Sequence, residues 1–226
     1  MLKILRAVCV IVLVLFLGPL LAGATENWEF VRNEEGIYVD RILRRDSPIV
    51  VFRGTTSMQA PVSSLMAVLF DVRTQAEWNN NGYDLRVLQK NSDTELWYYA
   101  SNKAPWPFRD RDFVAKLETR FDAASRTVVV TGTETTHIAA PPHPKRVRMP
   151  VARVNWTFAA LAAGRTRVTV TFQIDPGGIL PVWLMNKVTK GMPFRALRNI
   201  RDVIAEKKYD RDFEKRFTRY NSWHAL

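Results

Sequence analysis

The sequence predicts an α+β fold in which a curved antiparallel β-sheet wraps around one long C-terminal α-helix. Residues 85–175 contain about six consecutive segments that alternate apolar and polar side chains, a pattern typical of half-buried antiparallel strands. Residues 177–208 then carry apolar side chains three and four positions apart, the spacing of one helix face. A bent sheet needs apolar cover on its concave face, and this is the one long amphipathic segment left to supply it. We therefore predict a helix-grip fold with an internal apolar cavity.

The N-terminal part predicts two strands followed by a helix. Residues 37–43 and 49–55 are rich in β-branched and aromatic residues and are separated by a polar turn, which indicates a hairpin. Residues 60–71 begin with a proline near the first helical turn and place apolar side chains at helical spacing. A shorter helical segment is expected at residues 76–78, and residues 28–33 are either a short helix or an extended lead-in.

The region of alternating residues predicts strands separated by turn-like residues. The predicted strands are residues 85–90, 95–100, 111–120, 127–137, 147–158 and 165–175. The last of them alternates most regularly, with Phe172 and Ile174 on its apolar face and Arg167 and Thr169 on the other. One face of the sheet is therefore expected to meet an apolar interior while the other faces water.

The C-terminal helix is expected to be kinked. A proline inside a helix removes one hydrogen bond and clashes with the preceding turn, and Pro193 follows Gly191 in the middle of residues 177–208. After this helix, residues 209–226 alternate charged residues with aromatic residues at helical spacing, which predicts a short surface helix.

The N-terminus predicts a secretory signal peptide. Lys3 and Arg6 precede an uncharged apolar run that ends at a Gly-Pro pair and a small-residue cleavage site. We expect a periplasmic or secreted protein; an uncleaved membrane anchor is the alternative.

The only cysteine, Cys9, lies in this run, so a mature chain would have neither disulfides nor thiol chemistry. The predicted organisation is a signal peptide at 1–24, a domain at 25–208 and a basic, aromatic tail at 209–226.

The net charge is +11, or +9 without Lys3 and Arg6, which favours anionic partners. The sequence has no Gly-rich phosphate loop, zinc-type Cys/His spacing or RNA-binding aromatic motif, and export argues against a nucleic-acid partner. The basic surface is then either a membrane-facing surface or simply solvated charge, and we expect transient contact with an anionic membrane surface.

No catalytic or metal-binding constellation stands out in the sequence. None of the three histidines forms a metal-ligand spacing; they are His137, His143 and His224. There is no G-x-S-x-G elbow. We therefore expect no catalytic residue, metal or cofactor, and an enzyme assembled from residues of separate strands is the alternative.

The most informative residues lie at the start of the predicted strand 111–120. If Phe113 and Leu117 face the interior, as their apolar character indicates, the period of two places Arg111 on the same face and Asp112 on the other. A buried arginine must find partners, because an unpaired buried charge is costly. The alternatives are an internal salt bridge and a contact with the polar head of a ligand.

Large aromatic rings are dense in the same region. They suit an apolar pocket with few orienting groups, and they equally suit an ordinary core. With the inner face of the C-terminal helix included, we predict ten ligand-binding residues: Arg111, Trp97, Tyr99, Phe113, Met149, Trp156, Phe172, Leu184, Val188 and Met192.

Three segments carry a family resemblance: EWNNNGYDLRVLQK at 77–90, FRDRDFV at 108–114 and RVTVTFQIDPGGILPVWLMNK at 167–187. They resemble the signature regions of the START domain, the steroidogenic-acute-regulatory-related lipid-transfer domain, in a bacterial, exported form. The order of elements over residues 28–207 matches as well. The resemblance implies a tunnel for one lipid with the C-terminal helix as its lid. It also implies family positions for Arg111 in the strand motif, Trp78 and Asn79 at a turn, and Asp175, Gly178 and Pro181 before the lid.

By this resemblance the protein is expected to act as a monomer that binds one lipid or other hydrophobic ligand and transfers it between membranes or to a partner. Some sterol-binding members carry an acidic residue on the strand before the arginine, where this chain has Trp97-Tyr98-Tyr99. Sterol, phospholipid, fatty acid and isoprenoid ligands therefore stay open. The alternatives are an enzyme of the polyketide cyclase/aromatase type on the same fold and a partner-binding module without a ligand.

Overall fold

The structure, a computed structural model, describes residues 27–44, 47–71, 75, 78–79 and 82–225. The signal peptide predicted at residues 1–24 lies outside the described residues, as does the helical segment predicted at 76–78 except for Trp78. Within the described part of the chain, no helix has both the length and the apolar character that crossing a membrane requires.

Ten strands form one curved sheet. In chain order they are β1 (Glu29–Glu34), β2 (Ile37–Leu43), β3 (Val50–Met58), β4 (Gly82–Ser92), β5 (Glu95–Asn102), β6 (Arg111–Asp122), β7 (Thr127–Glu134), β8 (Val147–Arg148), β9 (Val151–Ala160) and β10 (Thr166–Asp175). Their order in space is β1-β2-β3-β10-β9-β7-β6-β5-β4, with antiparallel neighbours throughout, and β8 pairs in parallel with β6. Among the described residues the edge strands β1 and β4 do not pair with each other, so the sheet is open. The predicted curved antiparallel sheet is confirmed.

The predicted C-terminal helix is two helices. Helix α1 (Val62–Phe70) follows β3, and after β10 come α2 (Val182–Lys190) and α3 (Met192–Ala205), which are separated at Gly191. Pro193 therefore lies in the first turn of α3, where its missing N–H leaves no hydrogen bond unmade. The predicted kink is confirmed as a break between two helices.

Helix α3 covers the concave face of the sheet. It packs against β2, β3, β10 and α1, and its buried face carries Leu197, Ile200 and Val203. A Cβ atom added at Gly54 of β3 would lie 2.8 Å from side-chain atoms of Leu197 and Pro193, so this close approach of helix and strand requires glycine. The fold is thus the predicted helix-grip arrangement.

Two strand predictions need correction. The helix alternative for residues 28–33 is wrong, because this segment forms edge strand β1 and pairs with β2. The predicted strand 147–158 is divided into β8 and β9, because Pro150 between them has no N–H to give to a strand ladder. Met149 N, just before this proline, donates to Asp112 O at 2.9 Å, so the chain between β8 and β9 is held against the start of β6.

The tail is part of the core and not only a surface helix. It forms the short helix α4 (Arg211–Glu214) and a 3-10 helix (Lys215–Ala225) that pack against α1. The apolar side chains of this segment lie on one face, which packs against α1, so Phe217 and Tyr220 are buried. His224 joins three segments, since its Nε2 accepts from Val62 N at 3.2 Å and its Nδ1 bonds Leu161 O at 2.8 Å.

Candidate functional site

A cavity of about 390 Å³ lies between the concave face of the sheet and helices α2 and α3. Most of its described lining is apolar, and the sheet contributes an aromatic wall. Trp156 meets Trp78 and Phe172 edge-on, with ring centroids 6.0 Å and 6.2 Å apart, and Tyr98 meets Phe113 in the same way at 5.6 Å. Edge-to-face packing fixes these rings against each other. The cavity is therefore a preformed apolar space with rigid walls on the strand side.

The alternation of β6 places one charged side chain in this space. Arg111, Phe113 and Leu117 all line the cavity, as the period of two predicts. Arg111 is only 7% exposed, and its guanidinium donates to backbone carbonyls: Nε to Pro176 O at 3.4 Å, Nη2 to Gly177 O at 3.3 Å and Nη1 to Arg109 O. Arg111 therefore holds the turn between β10 and α2 against the start of β6.

The conformation of that turn explains its glycines. Gly177 and Gly178 have φ values of +62° and +68°, a region that L side chains rarely adopt. The Asp175 carboxylate accepts a hydrogen bond from Gly177 N at 2.8 Å, which closes the turn. The residues Asp175, Gly178 and Pro181 thus lie in the turn before the lid, as the resemblance implied.

Helices α2 and α3 close the cavity from the other side. Leu184 and Val188 line it from α2 and Met192 lines it from the first turn of α3. Arg195 Nη2 donates to Val188 O at 3.0 Å across the break at Gly191, and so satisfies a carbonyl at the C-terminal end of α2. The two helices are therefore joined by a side chain that itself lines the cavity.

Eight of the ten predicted site residues line this cavity. They are Arg111, Phe113, Met149, Trp156, Phe172, Leu184, Val188 and Met192. The placement of Trp97 and Tyr99 is wrong, because Tyr98 and Ala100 are the residues of β5 that line the cavity and the strand period sends their neighbours to the outer face.

On the outer face, Trp97 and Tyr99 have other partners. Lys116 Nζ lies 4.9 Å from the centroid of the Trp97 ring. Tyr99 is buried in a small cluster with Val114 and Ala140, and its hydroxyl donates to Asp112 Oδ2 at 2.9 Å. These contacts support the sheet from outside and do not reach the ligand space.

Asp112 is the centre of this outer cluster. It is fully buried, and Arg148 donates to both of its oxygens, from Nε at 2.8 Å and from Nη2 at 3.3 Å. Burial alone would raise the pKa of Asp112, but the hydrogen bonds from Arg148 and Tyr99 outweigh it and hold that pKa below the usual 3.8. Asp112 is therefore an ionised, fully partnered structural group.

Several polar residues besides Arg111 line the cavity and were not among the predicted site residues. They are Gln75, Asn79, Asn102, Lys103, Thr189, Arg195 and Asn199. A helical spacing of three and four joins Met185, Thr189, Met192, Ala196 and Asn199, so a signal for these positions exists in the sequence.

Trp78 supplies a further polar group. Its ring lines the cavity, and its Nε1 is buried with no hydrogen-bond acceptor among the described residues. Asn199 Nδ2 donates to Trp78 O at 2.8 Å and holds this residue against α3. A buried N–H without a partner costs about 1–3 kcal/mol, so this donor beside the cavity could be satisfied by a polar atom that approaches it.

The described lining contains no aspartate, glutamate, histidine or cysteine. Likewise, the part of the chain that the structure describes holds no group of three or more His, Cys, Asp or Glu side chains arranged for a metal ion. Burial raises the pKa of the Tyr98 phenol that lines the cavity. The described side chains of the lining can therefore donate hydrogen bonds and supply positive charge within an apolar wall.

Comparison with known proteins gives this cavity its context. A sequence model of the START domain matches residues 19–207. An uncharacterized protein of Pseudomonas aeruginosa is 27% identical over 183 residues, which cover 81% of this chain and 89% of that protein. The phosphatidylcholine transfer protein of Rattus norvegicus is 25% identical over 181 residues, which cover 77% of this chain and 82% of that protein.

Solved structures agree with the sequence comparisons. A STAR-related lipid transfer protein from Xanthomonas axonopodis is 28% identical with a TM-score of 0.70, covering 77% of this chain and 97% of that one. Human StAR-related lipid transfer protein 5 shares the fold with a TM-score of 0.73 at 19% identity, covering 81% of this chain and 89% of that one. The chain belongs to the START domain family, and its Pseudomonas and Xanthomonas relatives make it a member of the bacterial type.

Proposed function

We propose that this protein encloses a single lipid in its cavity and transfers it between membranes or to a partner. START domains bind lipids or other hydrophobic ligands, and the rat relative is named for phosphatidylcholine transfer. The observation that carries the proposal is the apolar cavity of about 390 Å³ under α2 and α3, with Arg111 and Trp78 Nε1 as buried polar groups in its wall.

Burial of apolar ligand surface supplies the driving force. At roughly 25 cal/mol per Å², several hundred Å² of buried ligand surface gives enough free energy for tight binding before association costs are subtracted. The few polar groups then decide which head group is accepted, because each of them costs free energy when it is left without a partner.

Ligand exchange requires an opening, and α2 is the element best suited to move. Helix α3 packs against three strands and α1, whereas α2 packs mainly against α3 and over the cavity. The break at Gly191 lets α2 rotate without disturbing the packing of α3 on Gly54. We expect Pro193→Ala, which permits one continuous helix, to slow lipid exchange; unchanged exchange kinetics in stopped-flow transfer assays would argue against this hinge.

Two exposed side chains favour a membrane contact beside the cavity. Trp106 is 92% exposed and Ile179 is 96% exposed, and each lies next to a cavity-lining segment, at Pro105 and Leu180. Exposed large apolar side chains with neighbouring cations suit the interface of an anionic bilayer, and Lys103 lies in the same loop as Trp106. The net charge of +11 adds long-range attraction.

Vesicle binding tests this contact. Trp106→Ser and Ile179→Ser are each expected to weaken binding to phosphatidylglycerol vesicles several-fold, and binding should fall as salt rises. Phe30→Ser is the matched control, because Phe30 is 63% exposed but lies on edge strand β1. Equal loss in all three variants, or binding that does not change with salt, would contradict the proposed surface.

Lipid extraction tests the function itself. Protein purified from the organism that encodes it should carry one lipid per chain by native mass spectrometry, and should move lipid between vesicles. Ala152→Phe places a ring in the cavity and should abolish both, whereas Ala159→Phe, on the opposite face of β9, should not. Absence of bound lipid and of transfer in the unmodified protein would favour a partner-binding module instead.

A further inference from the structure

The charged residues of the described cavity lining all have the same sign. They are Lys103, Arg111 and Arg195. Lys103 is exposed at the edge, Arg195 is half-buried, and Arg111 is almost fully buried. An apolar cavity with only positive charge in its described wall creates a potential that attracts anions and repels cations.

Arg111 differs in its partners from two other partly buried arginines of the sheet, Arg53 and Arg148. Arg53 is paired with Asp40 and Arg148 with Asp112, in both cases through two hydrogen bonds to the carboxylate. Among the described residues, no carboxylate lies within 4.0 Å of the Arg111 guanidinium, which meets carbonyl oxygens. Carbonyl dipoles satisfy N–H groups but do not neutralise the charge.

The two carboxylates on either side of Arg111 in the sequence already have hydrogen-bond donors. Asp110 accepts from the Tyr83 hydroxyl and from Ala104 N at 3.0 Å, and Asp112 accepts from Arg148 and Tyr99. Burial, followed by repulsion from Arg109, lowers the pKa of Arg111, which is the direction expected for a cation that lacks a full counter-charge. A guanidinium in this state is suited to a carboxylate or phosphate from outside the chain.

On the basis of the proposed function, we propose that the bound lipid carries an anionic head, a carboxylate or a phosphate without a balancing cation, and that this head binds Arg111. A zwitterionic head would bring a cation into a wall whose described charges are positive. A neutral hydroxyl would leave the charge of Arg111 uncompensated. The cavity volume lies near the lower end of the roughly 300–1,000 Å³ that small-ligand sites occupy, so one-chain amphiphiles are the appropriate probes.

Matched probe pairs test the head group in the unmodified protein. Oleate is compared with oleyl alcohol, and oleoyl lysophosphatidic acid with monooleoylglycerol, by displacement of a neutral fluorescent probe at pH 8. The anionic member of at least one pair should bind about tenfold tighter, the free-energy scale of one charge-assisted hydrogen bond. Preference in the first pair identifies a carboxylate head, and preference in the second a phosphate head.

Variants of β6 locate the preference. Arg111→Gln should reduce the preference to near unity and Arg111→Lys should keep part of it, because the lysine retains the charge without the planar fork. Arg120→Gln is the matched control: it removes the same charge from an exposed position of the same strand and should keep the full preference. Each preference is a ratio within one variant, so partial unfolding does not change it.

The outcomes separate this inference from the proposed function. Equal affinity for charged and neutral members of both pairs overturns the anionic head and leaves lipid binding intact. A preference that survives in Arg111→Gln overturns the assignment to Arg111. If no probe binds and purified protein carries no lipid, the proposed function fails and the inference fails with it.

Discussion

Two neighbouring residues of β6 place opposite charges on the two faces of one sheet. Arg111 points into the cavity and is bonded to carbonyl oxygens, whereas Asp112 points outward and is bonded to Arg148 and Tyr99. Both side chains are buried, at 7% and 0% exposure. Among the described residues, a cation neutralises the outer charge, whereas the inner charge has no carboxylate partner.

This difference separates a structural role from a binding role. A buried ion pair that the chain completes by itself can hold a loop in place, and Arg148 does so by also donating to Ala140 O and Pro141 O. A buried cation without a carboxylate partner among the described residues costs free energy that an anionic ligand would recover. Substitutions on the outer face should therefore mainly lower the stability of the fold, whereas substitutions on the inner face should mainly weaken ligand binding.

The largest effect is expected on the outer face. Arg148→Met should lower the free energy of unfolding by about 3 kcal/mol, because it leaves the fully buried Asp112 with Tyr99 as its remaining side-chain donor. Arg153→Met is the matched control, since Arg153 pairs with Glu134 at the surface and should cost less than about 1 kcal/mol. Urea unfolding measures both, and equal losses would show that burial does not distinguish the two pairs.

The pH dependence of stability should report the same outer pair. The folded-state pKa of Asp112 lies below its unfolded value near 3.8, so its contribution is complete above about pH 5 and is lost as pH falls through the folded pKa. Between pH 6 and pH 3, the loss of stability should be smaller in Asp112→Asn, which starts from a lower stability at pH 6. Asp93 and Asp110, whose pKa values are also lowered, keep some pH dependence in the variant. Identical pH profiles would mean that folding does not lower the pKa of Asp112.

On the inner face, the same kind of substitution should affect lipid binding much more than stability. Arg111→Met should cost only about 1 kcal/mol of stability, because relief of the buried charge offsets the carbonyls that lose their donor. Retention of bound lipid through purification should nevertheless fall sharply. Urea unfolding and lipid extraction measure the two quantities, and a stability loss equal to that of Arg148→Met would make Arg111 a structural residue.

Sequence alone predicts the inner face of β6 because that strand alternates, and it predicts a kink near Gly191 because a proline in the middle of a helix removes a hydrogen bond. It does not predict the faces of β5. Residues 96–100 are apolar or aromatic without interruption, and both faces are buried, one by the cavity and the other by the cluster around Ala140. Where both faces of a strand are buried, apolar and polar residues do not alternate. The sequence therefore does not show that Trp97 and Tyr99 face away from the cavity.

Sequence also does not predict which charges find partners. Asp112 meets Arg148, a residue 36 positions away, because the division at Pro150 pairs β8 with β6. Nothing in the local pattern of either residue indicates that pairing. The same tertiary arrangement leaves Arg111 with carbonyl oxygens, so its availability to a ligand becomes visible only when the loops are in place.

The smallest expected effect concerns the neutral indole N–H of Trp78, and it tests whether an uncharged donor beside the cavity also binds the ligand. Trp78→Phe removes a buried N–H that has no acceptor among the described residues, so stability should change by less than about 1 kcal/mol. If that N–H meets an oxygen of the ligand, the preference for methyl oleate over 1-octadecene should fall about threefold in competition assays, because one neutral hydrogen bond is lost. Trp97→Phe, on the outer face, is the control and should leave the preference unchanged. An unchanged preference in Trp78→Phe would show that the indole N–H does not take part in ligand recognition and that this ring contributes only apolar wall.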